Sequence, residues 1–305
     1  MSTIAKYLDP QVIQQVSRLD LRARFIVEGF LAGLHSSPFH GLSVEFAEHR
    51  KYVQGDDLRA IDWNVFARTD RLFVRKYAAE TNLDCHLLVD SSASMGYVGH
   101  LGIAESEQSP AKLNYAVHIA AALGYLVTRQ QDSIGVGVLG ERLQTYRPPR
   151  SRRADLAELL ATLASIEPSG PTGLSLAIHE VLSRIPHRGV IVLLSDLLTD
   201  TDATLEALHH IRFRGHDLIV MHILDEAEVR FPFEGPVLLE DPETGARIKA
   251  DADGVRERYQ AGVAAWRRSL HDRIAAMRGD YVPLDTSMPF DKALIEFLTQ
   301  RSRRR

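Results

Sequence analysis

From residue 84 onward the hydrophobic positions switch repeatedly between two periods. His86-Leu87-Leu88-Val89 is an apolar run of strand length, and residues 112–131 then carry Leu113, Val117, Ala120, Gly124 and Val127 on one helical face. A second strand is expected at Ser133-Ile134-Gly135-Val136-Gly137-Val138-Leu139, and Arg142-Leu143-Gln144-Thr145-Tyr146 can fold back on it as a hairpin. Helical spacing returns at Leu156, Leu159, Leu160 and Leu163, and again at Leu174, Ile178, Val181 and Ile185. Two more runs follow, Val190-Ile191-Val192-Leu193-Leu194 and Leu218-Ile219-Val220-Met221-His222-Ile223-Leu224, separated by a helix with Leu205, Leu208 and Ile211. Strands that are apolar on both faces need helices on both sides. The pattern therefore predicts an α/β class: a doubly wound, mainly parallel sheet with one antiparallel edge strand.

Towards the end of the chain, Glu243-Thr244-Gly245 reads as a hairpin turn between Val237-Leu238-Leu239 and Arg247-Ile248-Lys249. A long helix with Val255, Tyr259, Val263, Trp266, Leu270, Ile274 and Met277 comes next. The strand Tyr281-Val282-Pro283-Leu284 and a helix through Leu294, Phe297 and Leu298 close the pattern. At the other end, Asp9-Pro10 offers an N-cap and first turn for a helix with Ile13, Val16 and Leu19. The pattern stays helical or mixed through 21–34, and Gly33, Ser36, Ser37, Pro38 and Gly41 mark a connector. The expected organisation is an N-terminal extension over 1–80 packed on a main domain over 81–300, with a basic tail over 301–305.

Composition narrows the function classes. Basic and acidic residues number 36 and 40, a formal charge of −4, so no global field favours nucleic acid or an anionic membrane. The terminal Arg301-Ser302-Arg303-Arg304-Arg305 reads as a solvated tail. The longest nearly apolar run, 116–127, falls short of the roughly 20 residues of a membrane span. A single cysteine, Cys85, allows no intrachain disulfide, and the first residues lack the apolar stretch of a secretory signal. A cytoplasmic location is expected.

In an open parallel sheet, ligands bind at the carboxyl ends of the strands beside the point where strand order reverses. The first strand of the main domain ends there in Asp90-Ser91-Ser92-Ala93-Ser94, with neither the glycines of a dinucleotide turn nor the lysine of a P-loop. One carboxylate and two hydroxyls at alternate positions are oxygen donors suited to a hard cation such as Mg²⁺. Ser169-Gly170-Pro171-Thr172-Gly173 before a helix and Ser195-Asp196 after a strand add donors from two further loops. Asp90, Ser92, Ser94, Thr172 and Asp196 together resemble the metal-ion-dependent adhesion site of von Willebrand factor A domains. That resemblance implies Mg²⁺, with Mn²⁺ or Ca²⁺ as substitutes, and a protein partner whose carboxylate completes the coordination.

A second block is narrower. Glu45 to Trp63, containing Gly55-Asp56-Asp57-Leu58-Arg59-Ala60-Ile61-Asp62-Trp63, with Ala67-Arg68 and Glu80, looks like the hallmark of the family called domain of unknown function 58. Phe231-Pro232-Phe233, Glu243-Thr244-Gly245, Tyr259, Asp285-Thr286 and Phe297-Leu298 fit the same family over roughly 18–300. The resemblance implies work beside a MoxR-type AAA+ ATPase, as an adaptor or substrate in protein maturation or complex assembly. Read from the residues alone, Asp56, Asp57, Arg59, Asp62 and Arg68 alternate charge around Trp63 and Phe66, as in a polar network that docks the extension and buries the tryptophan. Asp62 and Trp63 are also candidate partner contacts. So are Asp225 and Glu226, in an Asp225-Glu226-Ala227-Glu228 stretch expected to be a solvated acidic loop on the metal-facing edge.

Other chemistries lack their residues. His179-Glu180-Val181-Leu182-Ser183 has no second histidine for a zinc helix, and no Gly-x-Ser-x-Gly elbow is present. Aspartyl-phosphate chemistry of the haloacid dehalogenase kind needs a carboxylate two residues after Asp90, where Ser92 stands. A non-enzymatic, metal-dependent protein-binding adaptor is the expected function. The alternatives are a metal-dependent phosphoryl-transfer enzyme and a scaffold with a vestigial metal site.

Overall fold

The computed structural model describes residues 44–53, 61–79, 84–99, 111–129, 131–289 and 292. The expected helices before residue 35, Asp56, Asp57 and Arg59, and the closing helix through Phe297 lie outside the described residues. The described residues fall into two compact units, one within 44–79 and one from 84 onward.

The smaller unit pairs β1 (Val44–Lys51) with β2 (Phe73–Ala79) antiparallel, with an irregularity between Phe46 and Glu48. Helix α1 (Trp63–Thr69) lies between them in sequence. Asp62 starts the helix, its Oδ1 accepting from the Val65 amide at 3.3 Å, and it is 7% exposed. Trp63 is 58% exposed and meets Phe66 edge to face at 6.1 Å. The expected burial of Trp63 is therefore corrected: at the first position of a short helix its ring stays more than half exposed. Arg68 is exposed as well.

The larger unit carries a six-stranded sheet formed by β3 (Asp84–Asp90), β4 (Ser133–Leu139), β5 (Leu143–Arg150), β6 (Val190–Ser195), β7 (Asp217–Leu224) and β10 (Asp280–Asp285). Its order is β10-β7-β6-β3-β4-β5. Every pairing is parallel except β4 with β5, the hairpin edge read from the sequence. The intervening helices are α2 (Lys112–Arg129), α3 (Arg153–Ala164), α4 (Leu174–Arg184) and α5 (Thr201–Phe213). After β7 come a short α6 (Glu226–Arg230), a separate hairpin of β8 (Pro236–Glu240) and β9 (Arg247–Asp251), and the long α7 (Ala252–Ala276).

Burial explains the class. Leu87, Leu88 and Val89 of β3, Ile191 to Leu194 of β6 and Leu218 to Leu224 of β7 are buried, and on one face of the sheet α4, α5 and α7 contribute Ile178, Val181, Leu208, Ile211, Leu270 and Ile274 to a core with Leu88, Ile191, Leu193, Leu218 and Val220. A strand with no polar face is stable only inside such a layer. The chain runs from β3 to β4 and β5 on one side, then returns to place β6 on the other side of β3. The reversal opens a crevice at the carboxyl ends of β3 and β6, where Asp90 ends one strand and Asp196 follows the other. Among the described residues no helix is long and apolar enough to cross a membrane.

Candidate functional site

Three loops meet above this crevice. The first leaves β3 as a single 3-10 turn, Ala93–Gly96. Ser91 ties it to the neighbouring strand, its amide and hydroxyl both donating to the Leu139 carbonyl at 2.7 Å. The second loop is laced to the first by Ala93 N to Gly170 O at 2.9 Å and Ser169 N to Ser91 O at 2.8 Å. Gly173 ends it against the Glu141 backbone, so close that a Cβ would lie 2.0 Å from the Glu141 carbonyl oxygen. Thr172 is thus placed by backbone packing on both sides. The third loop follows β6, where the Ser195 hydroxyl donates to Asp90 Oδ2 at 2.6 Å and accepts from the Leu197 amide at 2.9 Å.

Asp90, Ser92, Ser94 and Asp196 are all buried. Asp90 Oδ1 accepts from the Ser92 amide at 3.0 Å, and the hydroxyls of Ser92 and Ser94 lie 3.1 Å apart. Burial first, and the Asp196 charge second, push the Asp90 carboxyl up to about 7. Asp196 Oδ1 accepts from the Leu198 amide at 3.1 Å. Thr172 turns its amide and hydroxyl onto one carboxylate, that of Glu243, with N to Oε2 at 2.9 Å and the hydroxyl on Oε1.

A lysine at the start of a helix completes the cluster. Lys112, the first residue of α2, is fully buried and donates to Asp196 Oδ2 at 2.7 Å and to Glu228 Oε1 at 2.8 Å. Burial acts to lower its pKa, but the charges of Asp196 and Glu228 outweigh that and raise it. Once the raised Asp90 carboxyl gives up its proton, Asp90, Asp196 and Glu228 face one ammonium, a formal excess of two negative charges. Among the described residues no group of three or more His, Cys, Asp or Glu is arranged to hold a metal ion. Any cation at this edge has to rely on hydroxyls as well as carboxylates.

A family model described as protein of unknown function DUF58 matches residues 48–269. The chain belongs to the DUF58 family. This DUF58 chain is 29% identical over 300 residues to an uncharacterised protein of Mycobacterium tuberculosis, spanning 97% of this chain and 91% of that protein. It is 30% identical over 164 residues to an uncharacterised protein of Mycobacterium avium, 52% of this chain and 95% of that one. Among solved structures it is similar to the conserved hypothetical protein BatB from Bacteroides thetaiotaomicron, with TM-score 0.46, 17% identity and coverage of 72% of this chain and 99% of that one.

The acidic stretch of this DUF58 chain after β7 differs from expectation. Asp225 is buried, N-caps α6 through the Ala227 amide at 2.8 Å, and accepts from the Thr286 hydroxyl at 3.1 Å. Glu226 pairs with Arg230 at 2.8 Å. The stretch is a capped helical turn rather than a solvated loop, because Glu228 reaches back to the Asp225 amide and closes a capping box. Asp225 has no exposed carboxylate to offer a partner, whereas Trp63 does present its ring to solvent. Ser195 stands beside Asp196 in the sequence, but nothing local assigns Lys112, Glu228 or Glu243 to this site: Glu228 reads as part of an acidic stretch and Glu243 as part of a hairpin turn.

Proposed function

We propose that this DUF58 protein is a protein-binding module of the von Willebrand factor A type, in which Asp90, Ser92, Ser94, Thr172 and Asp196 hold Mg²⁺. The metal supplies an open coordination position for a carboxylate of a protein partner. The partner we propose is a MoxR-type AAA+ ATPase or its client.

The observation that carries this reading is the pair of hydroxyls beside a buried carboxylate. Octahedral Mg²⁺ with ligands at about 2.0–2.1 Å sets adjacent oxygens about 2.9 Å apart. The Ser92 and Ser94 oxygens are separated by 3.1 Å. Charge supports the same reading, since one divalent cation would neutralise the two excess negative charges that the buried set carries once Asp90 is ionised. Asp90 accepts one hydrogen bond on each oxygen, which leaves lone pairs for a cation or its water. Thr172 donates its hydroxyl proton to Glu243 and keeps its oxygen lone pairs. The buried Lys112 favours a second reading, a scaffold in which the ammonium is the resident cation and no metal binds.

Calorimetry with Mg²⁺ decides between them. Wild-type protein should bind one ion, and Asp90→Ala should bind at least about thirtyfold more weakly, the ~2 kcal/mol of a single dominant contact. Equal heats from both proteins discard the metal assignment. A pull-down of a MoxR-type ATPase with and without chelator then tests the partner, and a phosphatase assay on the metal-loaded protein tests the phosphoryl-transfer alternative.

A further inference from the structure

We propose that Glu243 is a built-in occupant of this site: the β8–β9 arm holds its carboxylate where a partner's carboxylate would bind, so a partner engages by displacing the arm. The inference rests on the reading of the site as a carboxylate-accepting metal centre.

Glu243 commits both carboxylate oxygens to a single residue, the Thr172 amide at 2.9 Å and the Thr172 hydroxyl. Thr172 belongs to the proposed ligand set, so an incoming acidic side chain meets the donors that Glu243 already uses. Charged acceptors on such donors make the stronger class of hydrogen bond. The occupant is also preorganised. Within the turn, Asp241 Oδ1 accepts from the Glu243 amide at 2.9 Å, Gly245 N donates to Asp241 O at 2.8 Å, and Gly245 takes a φ of 70°. None of these turn contacts involves Thr172.

The rest of the arm is anchored at its base. Gly235 N donates to Asp253 Oδ2 at 2.9 Å, and Arg256 holds the Phe233 carbonyl at 2.6 Å. Between base and tip the strands are largely exposed, Leu238 at 54% and Ile248 at 66%. Two-stranded hairpins have little stability of their own. Beneath the arm lies a cavity of 370 Å³, walled by Ser94, Glu228, Phe231, Tyr259 and Glu243 itself. The arm bridges this space instead of filling it, and the Glu243–Thr172 contact is its grip on the metal-bearing edge. The arm's chemistry also describes the partner segment: a turn presenting one acidic side chain.

The test uses the full chain, wild type and Glu243→Gln, with saturating Mg²⁺ and the single-carboxylate peptide acetyl-Gly-Glu-Gly-amide. Glu243→Gln is expected to bind the peptide about tenfold more tightly, or 1.4 kcal/mol. It should also exchange the Thr172 amide faster in hydrogen-exchange measurements. In wild-type protein, adding the peptide with Mg²⁺ should speed exchange across 236–251, a readout that needs no variant. Mg²⁺ binding to both proteins with equal peptide affinity, or an arm whose exchange does not respond, overturns the inference and leaves the metal reading standing. Absence of Mg²⁺ binding to either protein overturns the metal reading and this inference with it.

Discussion

The ammonium of Lys112 lies 2.7 Å from Asp196 Oδ2, and neither side chain is accessible to solvent. The two residues are 84 positions apart, one opening α2 and the other following β6. A positive charge at a helix N-terminus opposes the helix dipole. Its presence there is explained by Asp196 and Glu228, which surround it. Truncating one partner leaves a buried charge unpaired, so Lys112→Ala should cost about 3–5 kcal/mol in urea unfolding. The double variant with Asp196→Asn should cost clearly less than the sum of the two single changes. Additive losses would show that the pair is not coupled.

Gly173→Ala tests how Thr172 is placed. The new methyl would sit 2.0 Å from the Glu141 carbonyl oxygen, a backbone atom that cannot rotate away. The loop must shift, with a loss of about 1–3 kcal/mol by analogy with overpacked sites. If Thr172 contributes to the cation site, Mg²⁺ affinity should fall in the same variant. Unchanged stability and affinity would mean that the loop relaxes freely and its position is not decisive.

Trp63→Ala should change stability by less than about 0.5 kcal/mol, the usual range for surface positions. The ring is 58% exposed, so little apolar area is lost on truncation. A drop of about 3–5 kcal/mol in the melt is what truncating a buried tryptophan would produce, and it would contradict the exposed position.

Acid should destabilise the larger unit through its buried histidines. Burial, followed by the Arg267 charge, depresses the pKa of His222 to about 3, and burial, followed by His216, depresses that of His86 to about 4. The unfolded chain takes up these protons near the ordinary histidine value of about 6.5, while the folded chain does not. The histidine contribution to stability is therefore complete above about 6.5 and declines as pH falls towards 4. The slope is about 1.4 kcal/mol per pH unit for each histidine. Equilibrium unfolding of Asp90→Asn in urea from pH 7.5 to 4.5 measures it without the opposing titration of Asp90, and a flat profile in that variant would rule out neutral buried imidazoles.

Asp90 should act in the opposite sense. Its carboxyl, raised to about 7, keeps its proton in the folded, metal-free chain after the unfolded chain has lost it at about 3.8. The resulting stability is full at the acid end and lost as pH rises to about 7. Asp90→Asn should remove the buried charge that forms above about 7 and so stabilise the metal-free protein at pH 8. Mg²⁺ should stabilise wild type at that pH and leave Asp90→Asn unaffected. A thermal melt of both proteins, with Mg²⁺ and with chelator, checks both statements.

Periodicity carried most of the fold. Uninterrupted apolar runs at β3, β6 and β7 with amphipathic segments between them have one stable solution, a covered parallel sheet, and the short β4–β5 connection forces the antiparallel edge. Local order likewise marked Asp90, Ser92, Ser94, Thr172 and Asp196, because strand ends and helix starts are adjacent in sequence to the residues they position. The hairpin in the smaller unit was not legible, since β1 is rich in charge and shows no clean alternation. Trp63 looked like a core residue by type, and only the packing around α1 decided that it faces solvent. Tertiary structure alone also decided which partners the site residues have. Lys112 meets Glu228 across 116 positions, and Glu243 meets Thr172 across 71. Side-chain charge is written in the sequence, but whether it is solvated, paired or buried depends on chain segments brought together by folding, and no local pattern encodes that distance.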